Sequence, residues 1–253
     1  MNIIKKAIYA AGGALGYHIG LRPPAADTLQ GHLRILFDRF EFNCVIDVGA
    51  HHGGFGRLVR TAGYAGRIVS FEPVAANFAR LQEASKADSD WRVLPQALGP
   101  EAGRQPINVT RQSSMPSLRS PSAYGRTYFQ GQMDIVDTPM VEVRRLDDVF
   151  EECVGGLSNP RVFLKLDTQG YDGEVLRGGA RSLGQVLAIQ SELSVQAIYE
   201  GVPSYADAIA ELNALGFELS GLFPVTLDRE LRLIEMDCVM IRAEATRGAS
   251  TPT

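Results

Sequence analysis

Two carboxylates, Asp47 in CVIDVGAHHGGFGRLV and Glu72 in RIVSFEP, each close a short apolar run. Such runs read as doubly buried strands, so both acids fall at strand C-terminal ends, where open α/β sheets bind their ligands. After the first acid the spacing is Asp47-x-Gly49-x-x-x-Gly53, which is not the G-x-G-x-x-G of dinucleotide sites. Glycines let a backbone approach a ligand closely, and a helix opening there offers free N–H groups. A carboxylate at Asp47 suits a cationic amino-acid moiety better than a pyrophosphate. One at Glu72 can accept both hydroxyls of a ribose. Asp167 after VFLKL and Glu192 after VLAIQS are expected to project into the same crevice. Four acids gathered there repel one another, which raises at least one pKa toward neutrality and attracts a cation. The plainer alternatives are that Asp47 and Asp167 cap helices and that Glu72 is solvated beside Pro73.

The adjacent His51 and His52 raise the question of a metal. Neighbours in a tight loop are expected to point in different directions, one lining the loop and the other facing solvent, so no metal site is expected. Cys44, Cys153 and Cys238 have no metal-like spacing and cannot all pair, which points to a reducing compartment and a cytoplasmic location.

The elements that must position these residues follow from periodicity. DTLQGHLRILFDRF predicts a helix with Asp27 as its N-cap. CVIDVG, RIVSFEP and WRVLPQAL predict strands, with helices over GFGRLVRTAG and from Pro73 to about Lys86. MVEVRRLDDVF predicts a strand running into a helix, VFLKLD a strand, EVLRGGARSL a helix and VLAIQSEL a strand. A helix from about Ser204 to Leu215 stops at Gly216, and FELSGLF with LIEMDCVMIR forms an antiparallel closing pair. This alternation predicts an α/β chain with a mostly parallel sheet and helices on both faces. Between about 111 and 139 the rhythm fails. This long loop, rich in Ser, Arg, Tyr and Gly, is the expected substrate segment, with Ser113, Ser114, Arg119, Tyr124 and Tyr128 as contacts for a hydroxyl-rich acceptor.

A chain of 253 residues, 45% hydrophobic and 21% charged, suits one large soluble domain, expected over 41–243, after an N-terminal helical segment (1–40) and before a frayed tail (244–253). A net charge of −4 gives no support to a nucleic-acid partner. The stretch from Ala7 to Leu21 is broken by glycines and short for a membrane span. It reads as an amphipathic helix, with peripheral membrane contact as the alternative. Oligomeric state is not legible.

Acid, glycine turn and a second acid at the next strand end suit S-adenosylmethionine as cofactor. The segments VIDVGAHHGGF, FEPVAANFARL, VLPQALG, FLKLDTQGYDGEVLRGG and AIQSELSVQAIYEG, in that order, resemble the FkbM family of S-adenosylmethionine-dependent methyltransferases. The resemblance implies a Rossmann-like fold with a seven-stranded sheet whose last strand inserts antiparallel. It also implies O-methylation of a sugar, glycolipid or polyketide-type hydroxyl. By position it implies Asp47, Gly49 and Gly53 at the methionine part, Glu72 beside Pro73 at the ribose, Gln96 and Ala97 at the adenine edge, and Asp167 near the methyl-transfer centre. His51 departs from the asparagine usual in that loop. Asp167 and Glu192 are the candidate bases. The rival readings are a nicotinamide-dependent oxidoreductase and a non-catalytic scaffold that keeps the cofactor fold.

Overall fold

The computed structural model describes residues 27–247. In chain order the strands are β1 (Cys44–Val48), β2 (Arg67–Phe71), β3 (Trp91–Leu94), β4 (Ala97–Leu98), β5 (Gly103–Pro106), β6 (Val109–Thr110), β7 (Ile135–Asp137), β8 (Met140–Arg144), β9 (Val162–Leu166), β10 (Val186–Ser194), β11 (Phe217–Leu227) and β12 (Leu233–Arg242). The helices are α1 (Leu29–Phe40), α2 (Gly54–Thr61), α3 (Ala75–Ser85), α4 (Ala123–Tyr128), α5 (Leu146–Val154), α6 (Asp172–Gly178), α7 (Tyr205–Ala214) and α8 (Ala243–Arg247).

The main sheet has seven strands in the order β11-β12-β10-β9-β1-β2-β3. The five strands from β10 to β3 run parallel, and β12 inserts antiparallel between β10 and β11. Every residue of β1 and β9 is buried, as expected of central strands covered on both faces. Alternation divides the side chains of β1, β2 and β9: Cys44, Ile46 and Val48 join one core with α5, α6 and α7, while Val45, Ile68 and Phe163 join another with α1, α2 and α3. Each such side chain contributes roughly 1.5–3 kcal/mol by leaving water. This Rossmann-like architecture, with the antiparallel closing pair, matches the sequence expectation.

Several local expectations are corrected. WRVLPQAL is not one strand. Pro95 cannot donate a ladder hydrogen bond, so β3 stops at Leu94 and β4 passes to a second sheet, β4-β8-β5. MVEVR therefore forms β8 outside the main sheet. The 111–139 segment is not a bare loop: it holds α4, with Ser122 accepting from Gly125 N–H as its cap, and β7, which pairs antiparallel with β6. Thr28, not Asp27, caps α1 by accepting from Gly31 N–H at 3.1 Å. The helix expected over EVLRGGARSL ends at Gly178, where consecutive glycines weaken helical geometry. The expected frayed tail begins instead with the short helix α8, whose Ala245 packs against the second core. The expectations for residues 1–26 and 248–253, including membrane contact, lie outside the described residues. Among the described residues no helix is long and apolar enough to cross a membrane.

Candidate functional site

The C-terminal ends of β1, β2, β9 and β10 surround a cavity of about 290 Å³, bounded by Gly49, His51, Glu72, Asp167, Gln169 and Glu192 among others. Two backbone features shape its floor. Gly49 takes φ +79° and donates its N–H to Phe71 O at 3.0 Å. His51, with φ +50°, donates its N–H to Glu72 Oε2 at 2.8 Å. The loop thus folds back on the end of β2 and fixes Glu72 from below.

Glu72 is buried, and its Oε1 accepts from Val74 N–H at 2.9 Å. The Asn77 side chain donates to the same carboxylate, and the lone-pair capacity left over is open to a donor in the cavity. Burial pushes this carboxyl up to about 7, opposed by the hydrogen bonds from Val74, His51 and the Asn77 side chain. Pro73, Gln96 and Ala97 extend the same wall, and Gln96 Nε2 donates to Glu142 Oε1 at 3.0 Å. Replacing Glu72 by Ala is expected to weaken S-adenosylhomocysteine binding about 10- to 100-fold, the effect of losing charge-assisted hydrogen bonds. Isothermal titration checks this, and unchanged affinity would remove Glu72 from the cofactor contacts.

At the opposite end stand Asp167, Glu192 and Glu235. Asp167 Oδ2 pairs with Lys165 Nζ at 3.2 Å. Glu192 makes no ion pair among the described residues. Burial raises its pKa well above the ordinary value, helped by the nearby charges of Asp167, Glu235, Asp237 and Asp172. Glu235, whose Oε2 accepts from Thr226 Oγ1 at 3.1 Å, is pushed up to about 7, mainly by burial.

Carboxyls held above their ordinary 4.5 bind protons in the folded state that the unfolded chain has released. Their contribution to stability is therefore fully present below about pH 4.5 and is lost as pH rises through 7. For Glu72 and Glu235 the loss is of order 3 kcal/mol each at most. The melting temperature of the unliganded protein is expected to fall between pH 5 and pH 8, and to fall less in Glu72→Gln. A flat or rising profile in calorimetry would contradict this.

The placement of the sequence candidates is mixed. Gly49, His51, Glu72, Pro73, Gln96, Ala97, Ser114, Asp167 and Glu192 all line the cavity. Asp47 does not, which corrects the expectation that it points into the crevice. The parallel register sets Asp47 beside Ser70 on one side and Lys165 on the other. Its fully buried carboxylate accepts from Ser70 Oγ at 3.1 Å and pairs with Lys165 Nζ at 3.2 Å. Gly53, at φ +77°, caps α2 and packs on Leu81 and Trp91 instead of lining the cavity. The Trp91 indole also lies against Gly56, where a Cβ would come within 2.2 Å, and its Nε1 donates to Ser70 Oγ at 3.0 Å.

Ser113 sits outside the lining, 3.4 Å from His51 Nε2. Arg119 is consumed structurally: it donates to Gly170 O at 2.8 Å and Glu200 O at 3.0 Å and pairs with Glu174. Tyr124 and Tyr128 stack on each other at 5.9 Å. They border a separate open groove that meets the cavity at Thr226. His51 and His52 do not diverge as expected; their rings stack at 3.5 Å, and His52 Nε2 lies 3.1 Å from Asn77 Oδ1. Burial, then the neighbouring His52, lowers His51 to about 4, so it is neutral at physiological pH. Among the described residues no three His, Cys, Asp or Glu side chains group where they could hold a metal ion.

Sequence reasoning missed Lys165, Gln169, Tyr199 and Glu235. Lys165 carried a signal: a lysine inside the apolar run VFLKL must find counter-charges, because a buried ammonium is unstable without them. It finds Asp167 and Asp47, which outweigh the cost of burial and keep it charged.

The cavity's donor and acceptor set fits the expected cofactor. A buried carboxylate with free lone pairs suits ribose hydroxyls, and the acidic opposite end suits a sulfonium cation. The family model described as Methyltransferase FkbM domain matches residues 47–219. A curated relative, 2-O-methyltransferase NoeI of Sinorhizobium fredii (strain NBRC 101917 / NGR234), is 28% identical over 224 residues, covering 85% of this chain and 88% of the relative. Among solved structures, magnesium protoporphyrin IX methyltransferase (ChlM) from Synechocystis PCC 6803 with bound SAM superposes with a TM-score of 0.46 at 9% identity, covering 96% of this chain and 99% of that one. Fibrillarin of Aeropyrum pernix with natively bound S-adenosyl-L-methionine gives 0.43 at 10%, covering 94% and 74%. At these scores neither likeness transfers a residue role.

Proposed function

The chain belongs to the FkbM methyltransferase family, and from that premise we propose that it methylates a hydroxyl oxygen of a sugar, glycolipid or polyketide-type acceptor, with Glu192 as the base. The enzyme is an S-adenosylmethionine-dependent methyltransferase, so the oxidoreductase and scaffold alternatives lapse. The observation that carries the finer reading is one cavity with Glu72, Gln96 and Ala97 at one end and Asp167, Glu192 and Glu235 at the other.

Bound there, S-adenosylmethionine would supply an electrophilic methyl group on a sulfonium cation, with S-adenosylhomocysteine as the leaving group when the acceptor oxygen takes the methyl. The remaining work belongs to the chain. Glu72 holds ribose hydroxyls, and Gln96 and Ala97 flank the adenine. Alignment of the reacting groups can supply about 7–11 kcal/mol in favourable cases. Glu192 takes the hydroxyl proton as the oxygen attacks. Asp167 is the poorer base because Lys165 compensates its charge, whereas among the described residues Glu192 has only an amide donor. A sulfonium cation beside Glu192 and Glu235 would favour their ionised forms, opposing the burial that raises them. Asp47 acts through Lys165, by fixing the ammonium that fixes Asp167.

A hydroxyl acceptor agrees with the name of the 2-O-methyltransferase relative. Three buried, unpaired cysteines support a cytoplasmic location, where a membrane-borne glycolipid acceptor would be reached peripherally. The test is transfer of labelled methyl from S-adenosylmethionine to a panel of saccharides, glycolipids and polyketide alcohols. Mass spectrometry should show one alkali-stable increment of about 14 daltons, as an ether gives. Methylation confined to amines or carboxylates would overturn the hydroxyl assignment.

A further inference from the structure

We propose that Gln169 is the positioning residue of the base: its side-chain amide bridges Asp167 and Glu192, favours the ionised form of Glu192 against the acids around it, and is itself oriented by Tyr199. The inference rests on the reading of Glu192 as the base.

The geometry is specific. Gln169 Nε2 donates to Asp167 Oδ1 at 2.9 Å and to Glu192 Oε2 at 3.0 Å, using both amide protons on two different acids. Gln169 Oε1 accepts from Tyr199 O–H at 2.8 Å, and Tyr199 is buried. The reverse amide orientation would set the carbonyl oxygen against the two acceptor oxygens and the amide N–H against the Tyr199 hydroxyl, so the three hydrogen bonds together favour this orientation. The Tyr199 hydroxyl also lies 3.1 Å from Met115 O. It has one proton, and rotating it to Met115 would release the amide.

The backbone is held as deliberately as the side chain. Gln169 adopts φ +56°, a left-handed conformation that is unfavourable for a residue with a Cβ and persists only where the surroundings enforce it. Ser117 Oγ donates to Gln169 O at 2.8 Å, and Arg119 Nε donates to the next carbonyl, Gly170 O, at 2.8 Å. The 113–120 segment thus clamps the turn that carries the amide. This gives Arg119 and Ser117 a purpose that their composition did not reveal.

An amide is the group the position calls for. It donates to two acids at once, yet it cannot take the substrate proton at neutral pH and so does not compete with Glu192. The groups facing Glu192 are Asp167 just past the end of β9, Asp172 on α6, Glu235 and Asp237 on β12, and Tyr199. The four acids disfavour its ionised form. Lys165 is engaged with Asp47 and Asp167, leaving the Gln169 amide as the donor that stabilises the Glu192 carboxylate. Removing it must shift Glu192 toward the protonated form.

The test follows the Glu192 carboxyl by NMR in protein labelled with 13C-glutamate, with Glu192→Gln identifying the resonance. In Gln169→Leu its titration midpoint should move to higher pH, and in Tyr199→Phe it should move the same way by less. Each unit of rise cuts the ionised fraction about tenfold below the midpoint. Turnover at pH 7 should therefore fall and recover as pH is raised, with S-adenosylhomocysteine still bound. An unmoved midpoint in Gln169→Leu, or a rate loss uniform across pH, would overturn the proposal. If Gln169→Leu does not fold, an unmoved midpoint in Tyr199→Phe overturns it instead. Full activity of Glu192→Gln would refute Glu192 as base while leaving the midpoint shifts to judge Gln169 separately.

Discussion

Glu192→Gln is expected to lower turnover by about 10²–10⁴-fold, the usual worth of a positioned base, while the affinity for S-adenosylhomocysteine stays within a few-fold of the parent. The substitution keeps the side chain's size and removes its capacity to accept the substrate proton at the wall where Asp167 and Glu235 also stand. The comparison variant is Asp167→Asn. Because Asp167 is paired with Lys165 at 3.2 Å, its loss leaves a buried ammonium with one fewer counter-charge, so cofactor binding and stability should suffer together with rate. The signature that separates the two is a kcat effect alone for Glu192 and a mixed effect for Asp167, read by steady-state kinetics and isothermal titration. Full turnover in Glu192→Gln would move the base to another carboxylate.

Gly49→Ala should be the most damaging single substitution in the cofactor loop. The residue sits at φ +79°, where a Cβ alone costs about 1–2 kcal/mol. Here the added carbon would also lie 2.0 Å from the carbonyl oxygen of Asp167, a backbone atom that no rotamer change can move. Relief requires β1 and β9 to part just where Asp167 N–H donates to Val48 O at 3.1 Å. The combined cost is expected to be about 3–5 kcal/mol, lowering the melting temperature by about 10 °C or more and abolishing cofactor binding. Gly54→Ala is the control, since nothing lies within 4 Å of its added carbon. Calorimetry showing the two variants equal would mean that the loop gives way more easily than its geometry implies.

What was legible in the sequence and what was not follows from the range of each interaction. Strands such as CVIDV and VFLKL declare themselves by local composition, and the acid at a strand end follows from chain direction. The break at Pro95 was equally local, and was missed only because the flanking apolar residues resembled one strand. The site's inner wiring is different in kind. Asp47 is satisfied by Lys165, a residue 118 positions later that the register of β1 against β9 sets beside it. Gln169, Glu192, Tyr199 and Glu235 meet through the β9–β10 crossover and the pairing of β12 on β10, so no spacing announces them. Tyr124 and Tyr128 were singled out by composition, but composition does not tell which of two adjoining depressions a side chain faces.

The packing of Trp91 has a practical consequence. It is the chain's one tryptophan, wedged beneath the turn that begins α2 and hydrogen-bonded through Ser70 to the Asp47 carboxylate. Ultraviolet emission excited above the tyrosine absorption band therefore comes from a single buried chromophore seated under the glycine bend. Occupancy of the pocket can be followed by intrinsic fluorescence, without a dye, a tag or any knowledge of the acceptor.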